Sequence, residues 1–220
     1  MIKNTKIAII GLGYVGLPLA VEFGKKYETI GFDISSKRIK ELRDGIDKTG
    51  EISKKKIKSS LKLSFSDSVD DIAICNIYIV AVPTPINEDN KPNLDILFNA
   101  TSTVGRVITK NNIIIYESTV YPGCTEEECV PILEKESSLK YNKDFYCGYS
   151  PERINPGDTK RTLTNIVKIT SGSNDKIAKQ VDKLYQSIIK AGTYKVNAIK
   201  VAEAAKIIEN CQRDINIAFV

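Results

Sequence analysis

The chain has 220 residues, 42% of them hydrophobic and 27% charged, a globular balance that suits one large α/β domain, or one domain and the start of another. Its net charge of +5 comes from scattered lysines, and the one short run, Lys54-Lys55-Lys56, reads as a solvated loop rather than a nucleic-acid arm. Histidine is absent and the five cysteines (Cys75, Cys124, Cys129, Cys147, Cys211) are dispersed; this excludes a Cys–His zinc site and a disulfide framework, predicts reduced thiols in a cytoplasmic protein, and leaves proton transfer to Lys, Glu, Asp, Cys, Tyr or water.

Apolar strand-like runs alternate with amphipathic helical stretches, which predicts an α/β fold with a Rossmann-type, doubly wound parallel sheet. The uncharged run at 7–21 follows Lys3 and Lys6 and superficially resembles a signal peptide. Glycines 11, 13 and 16 and Pro18 do not suit such a core, so no targeting or membrane segment is expected. Residues 6–10 read as a buried strand, 14–26 as a helix, 29–33 as a second strand, and the stretch through Arg38 and Leu42 as a helix. Strands follow at 77–82, 113–117, 145–149 and 166–170, with helices at 94–108 and 125–135. Apolar residues at 177, 181, 184 and 188 mark a helix over 174–189, and 194–196 a short last strand. From Ala198 one helix continues to Val220 without a stop signal, which suggests a chain cut in mid-helix. There is no internal repeat.

Gly11-Leu12-Gly13-Tyr14-Val15-Gly16 lies between the first strand and its helix. The first glycine allows a tight turn, the second a close approach of backbone N–H groups to a pyrophosphate, and the third close helix–strand packing. The helix N-terminus then faces the anion. Asp33 closes the second strand 22 residues after Gly11. There a carboxylate can accept from the adenosine ribose hydroxyls and repel a 2′-phosphate, which favours NAD over NADP. Asp33 could instead cap the next helix beside Ser35. Arg38, one turn into that helix, could serve either cofactor.

Three polar clusters stand at other strand ends, at 82–85, 117–120 and 149–153, where open α/β sheets bind ligands. Each alone could be a turn with a helix cap. On the last helix Lys206, Asn210 and Arg213 share one face, with Ala202, Ala205, Ile208 and Ile215 around them.

The segments 11–18, 83–85, 117–123, 150–158 and 202–218 together make the chain resemble the nucleotide-sugar 6-dehydrogenases, the UDP-glucose and GDP-mannose dehydrogenase family. Ser-Pro-Glu-Arg-Ile-Asn-Pro-Gly-Asp at 150–158 resembles the branch acting on UDP-N-acetylhexosamines, nearest to the Vi-polysaccharide-type UDP-N-acetylglucosamine 6-dehydrogenases. The resemblance implies oxidation of the sugar C6 hydroxyl to a carboxylate by NAD, through an aldehyde and a cysteine-linked thioester, for surface polysaccharide synthesis. It implies NAD contacts from Gly11, Leu12, Gly13, Tyr14, Val15, Gly16, Asp33, Arg38, Thr84 and Thr119. It implies sugar-nucleotide contacts from Arg153, Ile154, Lys206, Asn210 and Arg213. Thr119 and Glu152 would position a hydrolytic water, with Glu152 as base; Lys206 would stabilise charge on the C6 oxygen or relay its proton, and Asn210 would help hold that oxygen. For its task Lys206 should be partly desolvated.

None of the five cysteines matches the family's nucleophile, which lies beyond residue 220. Cys124 at a helix start is the tempting substitute but reads as a buried, incidental thiol. The chain is therefore expected to comprise an NAD-binding domain at 1–196 and the start of a central connecting helix at 197–220, without the central and UDP-binding domains. The full-length enzyme is expected to be a homodimer or larger, with no metal, nucleic acid or membrane partner. A 6-phosphogluconate or β-hydroxyacid dehydrogenase and a non-catalytic NAD-binding module are the competing readings.

Overall fold

A computed structural model describes residues 4–153 and 162–220. In chain order the elements are β1 (Lys6–Ile10), α1 (Gly16–Gly24), β2 (Glu28–Phe32), α2 (Ser36–Arg43), α3 (Lys54–Ser59), β3 (Leu63–Ser66), α4 (Val69–Ile72), β4 (Ile77–Val80), α5 (Asp95–Gly105) and β5 (Ile113–Tyr116). A π-helical turn at Thr125–Cys129 leads into α6 (Val130–Ser137). Then come β6 (Tyr146–Tyr149), β7 (Lys168–Gly172), α7 (Asp175–Gln186), β8 (Thr193–Lys195) and α8 (Ile199–Phe219). The eight strands form one sheet in the order β3-β2-β1-β4-β5-β6-β7-β8.

Strands β4 and β5 are buried at every residue, as apolar runs covered by helices on both faces must be. One apolar layer packs Leu97, Val104, Val130, Leu133 and Ile199 of α5, α6 and α8 against the sheet. The other packs Leu17, Val21, Ile39, Leu42, Val181 and Leu184 of α1, α2 and α7. Helix starts follow their capping chemistry: Ser35 and Asn174 accept from the N–H groups of Arg38 and Ile177, satisfying donors that the helix leaves open.

The doubly wound, mostly parallel sheet is as expected, with two local departures. The sheet is parallel only through β6: β7 pairs with β6 antiparallel, Gly148 opposite Gly172 and Tyr149 opposite Ser171, and β8 runs parallel to β7. An antiparallel margin on a parallel sheet is common. It turns the first residue of β7, Lys168, toward the edge where the other strands end. Second, Lys54-Lys55-Lys56 is not loop but the first turn of α3, its lysines exposed, with Ser53 as cap. Six residues with only Ile57 buried are too few to show a helical period. β3 and α4, four residues each, escape the sequence pattern for the same reason.

Candidate functional site

The turn after β1 is shaped by its glycines. Gly11 has φ +89°, and a Cβ on it would meet Val82 and the Ala81 carbonyl at 3.0 and 3.1 Å. A Cβ on Gly16 would lie 1.8 Å from the Gly11 carbonyl oxygen, so the start of α1 can approach the turn only as glycine. A Cβ on Gly13 would meet nothing within 4 Å; this glycine faces open space and leaves room for a phosphate against the backbone, as a dinucleotide requires. Tyr14 is exposed, and Val15 is the residue before α1.

Asp33 follows β2 directly. Its Oδ2 accepts from the Leu12 N–H (2.9 Å) and its Oδ1 from the Ser35 N–H (2.9 Å). It thus ties the glycine turn to the start of α2, and the helix cap itself is Ser35 rather than Asp33. Arg38 reaches back across the turn: Nε and Nη2 donate to the Leu12 carbonyl (3.1 and 2.8 Å), and Nη2 pairs with Asp47 Oδ1 at 2.7 Å. Burial pushes the Asp47 carboxyl up, but Arg38 and the N–H groups of Ile52 and Thr49 outweigh it and hold the group below its ordinary range. With Nε and Nη2 committed to a main-chain carbonyl and a carboxylate, only the buried, unpartnered Nη1 is left for a 2′-phosphate. The one feature that spoke for NADP is thereby weakened.

The strand-end clusters converge. Ser118 Oγ donates to the Val82 carbonyl (2.6 Å), Thr84 Oγ1 to the Thr119 carbonyl (2.7 Å), and Tyr149 OH to the Ser118 carbonyl (3.0 Å). These three bonds join the ends of β4, β5 and β6 into one floor, with the Thr119 side chain exposed above it. Beyond β6, Ser150 Oγ donates to the Ile169 carbonyl (2.7 Å). The buried Glu152 carboxylate accepts from the Arg153 N–H at Oε1 (2.5 Å) and stands 3.6 Å from Lys168 Nζ at Oε2.

Helix α8 meets this floor along its first two turns. Glu203, fully buried, accepts from the Gly123 and Thr125 N–H groups (2.6 and 2.9 Å). One turn later Lys206 Nζ donates to the Glu152 main-chain carbonyl (2.5 Å). Burial holds the Lys206 ammonium below its ordinary range, against the pull of Glu152 and Glu209, in the direction expected. Asn210 is half-buried and accepts from the exposed Arg213 (2.7 Å). Ile208 and Ile215 are 64% and 68% exposed, so only the Lys206 end of that face lines the floor. Arg153 is engaged by a residue that sequence reasoning missed: Nε and Nη2 donate to Glu209 (3.0 and 3.1 Å), and Nη1 to the Val167 carbonyl (3.0 Å). Ile154 lies outside the described residues.

Also missed is a buried charge cluster under the floor. Lys168 Nζ donates to Glu117 Oε2 (2.5 Å) and to the Pro151 carbonyl (3.0 Å), and Tyr185 OH donates to Glu117 Oε1. Burial pushes Glu117 up to about 7 even though Lys168 opposes it. The available signals were a glutamate closing an apolar strand and a lysine opening one.

Cys124 is fully buried, and its hydrogen bond with Cys129, together with burial, raises its thiol far above the ordinary range. That is the opposite of an activated nucleophile. Among the described residues no group of three or more Cys, Asp or Glu could hold a metal ion, and no helix is long and apolar enough to cross a membrane.

Comparison with known proteins agrees with this geometry. Residues 5–189 match the NAD binding domain of the UDP-glucose/GDP-mannose dehydrogenase family. The chain is 59% identical over 219 residues to a UDP-N-acetyl-D-glucosamine 6-dehydrogenase of Salmonella typhi, covering 100% of this chain and 52% of the relative. It is 57% identical over 218 residues to the enzyme of the same name in Pseudomonas aeruginosa, covering 99% and 52%. A solved structure of a UDP-D-ManNAc dehydrogenase from Pyrococcus horikoshii superposes with a TM-score of 0.89 at 37% identity, covering 98% of this chain and 52% of that one. The chain thus spans about half the length of these relatives.

Proposed function

The chain belongs to the UDP-glucose/GDP-mannose dehydrogenase family, and from that premise we propose that it is the NAD-binding half of a cytoplasmic enzyme oxidising the C6 hydroxyl of a UDP-N-acetylhexosamine, UDP-N-acetylglucosamine first. Residues 1–196 would form the cofactor domain and 197–220 the start of a connecting helix to the sugar-nucleotide-binding part. The full-length protein would be a homodimer or larger. The observation that carries the reading is the desolvated Lys206 ammonium seated on Glu152, at the edge where the glycine turn and Asp33 also stand.

NAD+ would be held by the backbone of 11–16, with Asp33 on the adenosine ribose, Arg38 fixing the turn, and Thr84 and Thr119 lining the approach; when bound it supplies a hydride acceptor. An alcohol that loses hydride must also lose its proton, and the oxygen needs stabilising meanwhile. Lys206, with its ammonium below the ordinary range, is suited to both, and Asn210 is close enough along the helix to hold the same oxygen. Thr119 and Glu152 would position water for the hydrolytic step. Arg153, Ile154 and Arg213 are the proposed sugar-nucleotide contacts; for Arg153 this requires Glu209 to share or release the guanidinium. The family match sets aside the 6-phosphogluconate and β-hydroxyacid reading.

Calorimetric titration of the 220-residue chain with NAD+ and NADP+ tests the cofactor assignment, with clear preference for NAD+ expected. A panel of UDP-N-acetylhexosamines on the full-length protein tests the substrate. The isolated chain should bind NAD+ without completing the oxidation; sustained NADH production by it would overturn the assignment of the nucleophile to a segment beyond residue 220.

A further inference from the structure

The Glu117–Lys168–Tyr185 cluster plays no part in the chemistry just described, yet it is buried as deeply as the apolar core. A buried ion pair is a weak source of stability, because desolvating two charges offsets most of their attraction. This pair does not end on itself. Lys168 donates to the Pro151 carbonyl (3.0 Å) while Lys206 donates to the next carbonyl, that of Glu152 (2.5 Å). Two ammonium groups from different elements thus grip consecutive carbonyls of one short segment. The Glu152 carboxylate stands beside the first of them, its Oε2 3.6 Å from Lys168 Nζ. The reversed direction of β7 is what brings Lys168 there. Glu117, the residue after β5, accepts from the ammonium, and Tyr185 of α7 donates in turn to Glu117.

We propose that Lys168 is a positioning residue for Glu152: clamped by Glu117, its ammonium fixes the Pro151 carbonyl and faces the Glu152 carboxylate, and so sets where that carboxylate stands relative to Lys206. The inference rests on the proposed dehydrogenase reading, in which Glu152 and Lys206 meet the substrate. Lys168 touches neither substrate nor cofactor.

The test uses the full-length protein and compares Lys168→Met, Lys168→Arg and the double variant Lys168→Met/Glu117→Gln, following steady-state NADH formation from a UDP-N-acetylhexosamine and thermal unfolding. Lys168→Met leaves Glu117 buried without its cation and should unfold at lower temperature. The double variant removes both charges together, so its melting temperature should recover. Its kcat should nonetheless stay down by about 30-fold with KM changed less than about threefold, because misplacing a catalytic group costs rate rather than binding. Lys168→Arg, which keeps the charge, should regain most of kcat. A purely structural pair predicts the reverse, with kcat recovering in the double variant along with stability, and that result would overturn the proposal. So would a Lys168→Met protein that folds and keeps kcat within about twofold of wild type. A wild-type protein inactive on every UDP-N-acetylhexosamine would instead remove the dehydrogenase reading, and this inference with it.

Discussion

The two ends of the candidate site are built from different materials. At the glycine turn the proposed recognition groups are main-chain amides, shaped by what Gly11 and Gly16 lack and held by one carboxylate and one guanidinium. At the ends of β5, β6 and β7 the groups are side chains from four elements, two carboxylates and two ammonium ions, most of them removed from water. Backbone amides cost little to present and tolerate no steric intrusion. Buried charges tolerate modest changes of shape, but each is stable only while its partner remains. The first region should therefore fail sterically and the second electrostatically.

The sharpest way to break the contrast is at Gly16. Gly16→Ala puts a methyl group 1.8 Å from a backbone oxygen and should cost about 4 kcal/mol of stability, with NAD+ binding lost. A urea melt and a calorimetric titration read both; a variant with wild-type stability would show that the turn can move. Next in size is the pH dependence of the buried end. Glu117 has its folded-state value raised to about 7 from an ordinary 4.5. Its contribution is therefore most favourable below pH 4.5 and is lost as pH rises through 7. Between those limits wild type should lose up to about 3 kcal/mol relative to Glu117→Gln, which cannot ionise. Urea melts of both proteins at pH 5 and pH 8 measure the difference, and parallel behaviour would refute it.

Asp33→Ala comes third. It removes a charged acceptor from the Leu12 and Ser35 N–H groups and should weaken NAD+ binding by about 2 kcal/mol while narrowing the preference over NADP+. Unchanged discrimination would move cofactor choice to another residue. The smallest effect is expected at Arg213, exposed and bonded only to Asn210 among its described partners. Arg213→Ala should change stability by less than about 0.5 kcal/mol, so any larger shift in melting temperature would show a contact that the described residues lack.

The same contrast explains what the sequence made legible. The glycine turn, Asp33 and Arg38 lie within 28 positions of one another, and their geometry follows from one strand–turn–helix unit. The shared helix face of Lys206, Asn210 and Arg213 follows from helical spacing alone. Glu117, Lys168 and Tyr185 are joined across 51 and 68 positions, and their meeting depends on a strand direction that hydrophobic patterning does not encode. Arg153 was found but its partner was not, since Glu209 lies 56 residues away on a helix whose docking is a tertiary event. Local spacing grouped the residues that share one element; it was silent on those that meet across the sheet.

The grip of Arg38 on the Leu12 carbonyl has a consequence for how tightly an anion could be held. A peptide group is planar and trans, so its N–H points away from its C=O. With the Leu12 oxygen fixed by two guanidinium bonds, the N–H of Gly13 in the same peptide plane is aimed away from Arg38. The Asp33 bond to the Leu12 N–H fixes the preceding plane as well. The cradle is thus preorganised: its donors are oriented before any ligand arrives, and association forfeits little backbone entropy at the turn.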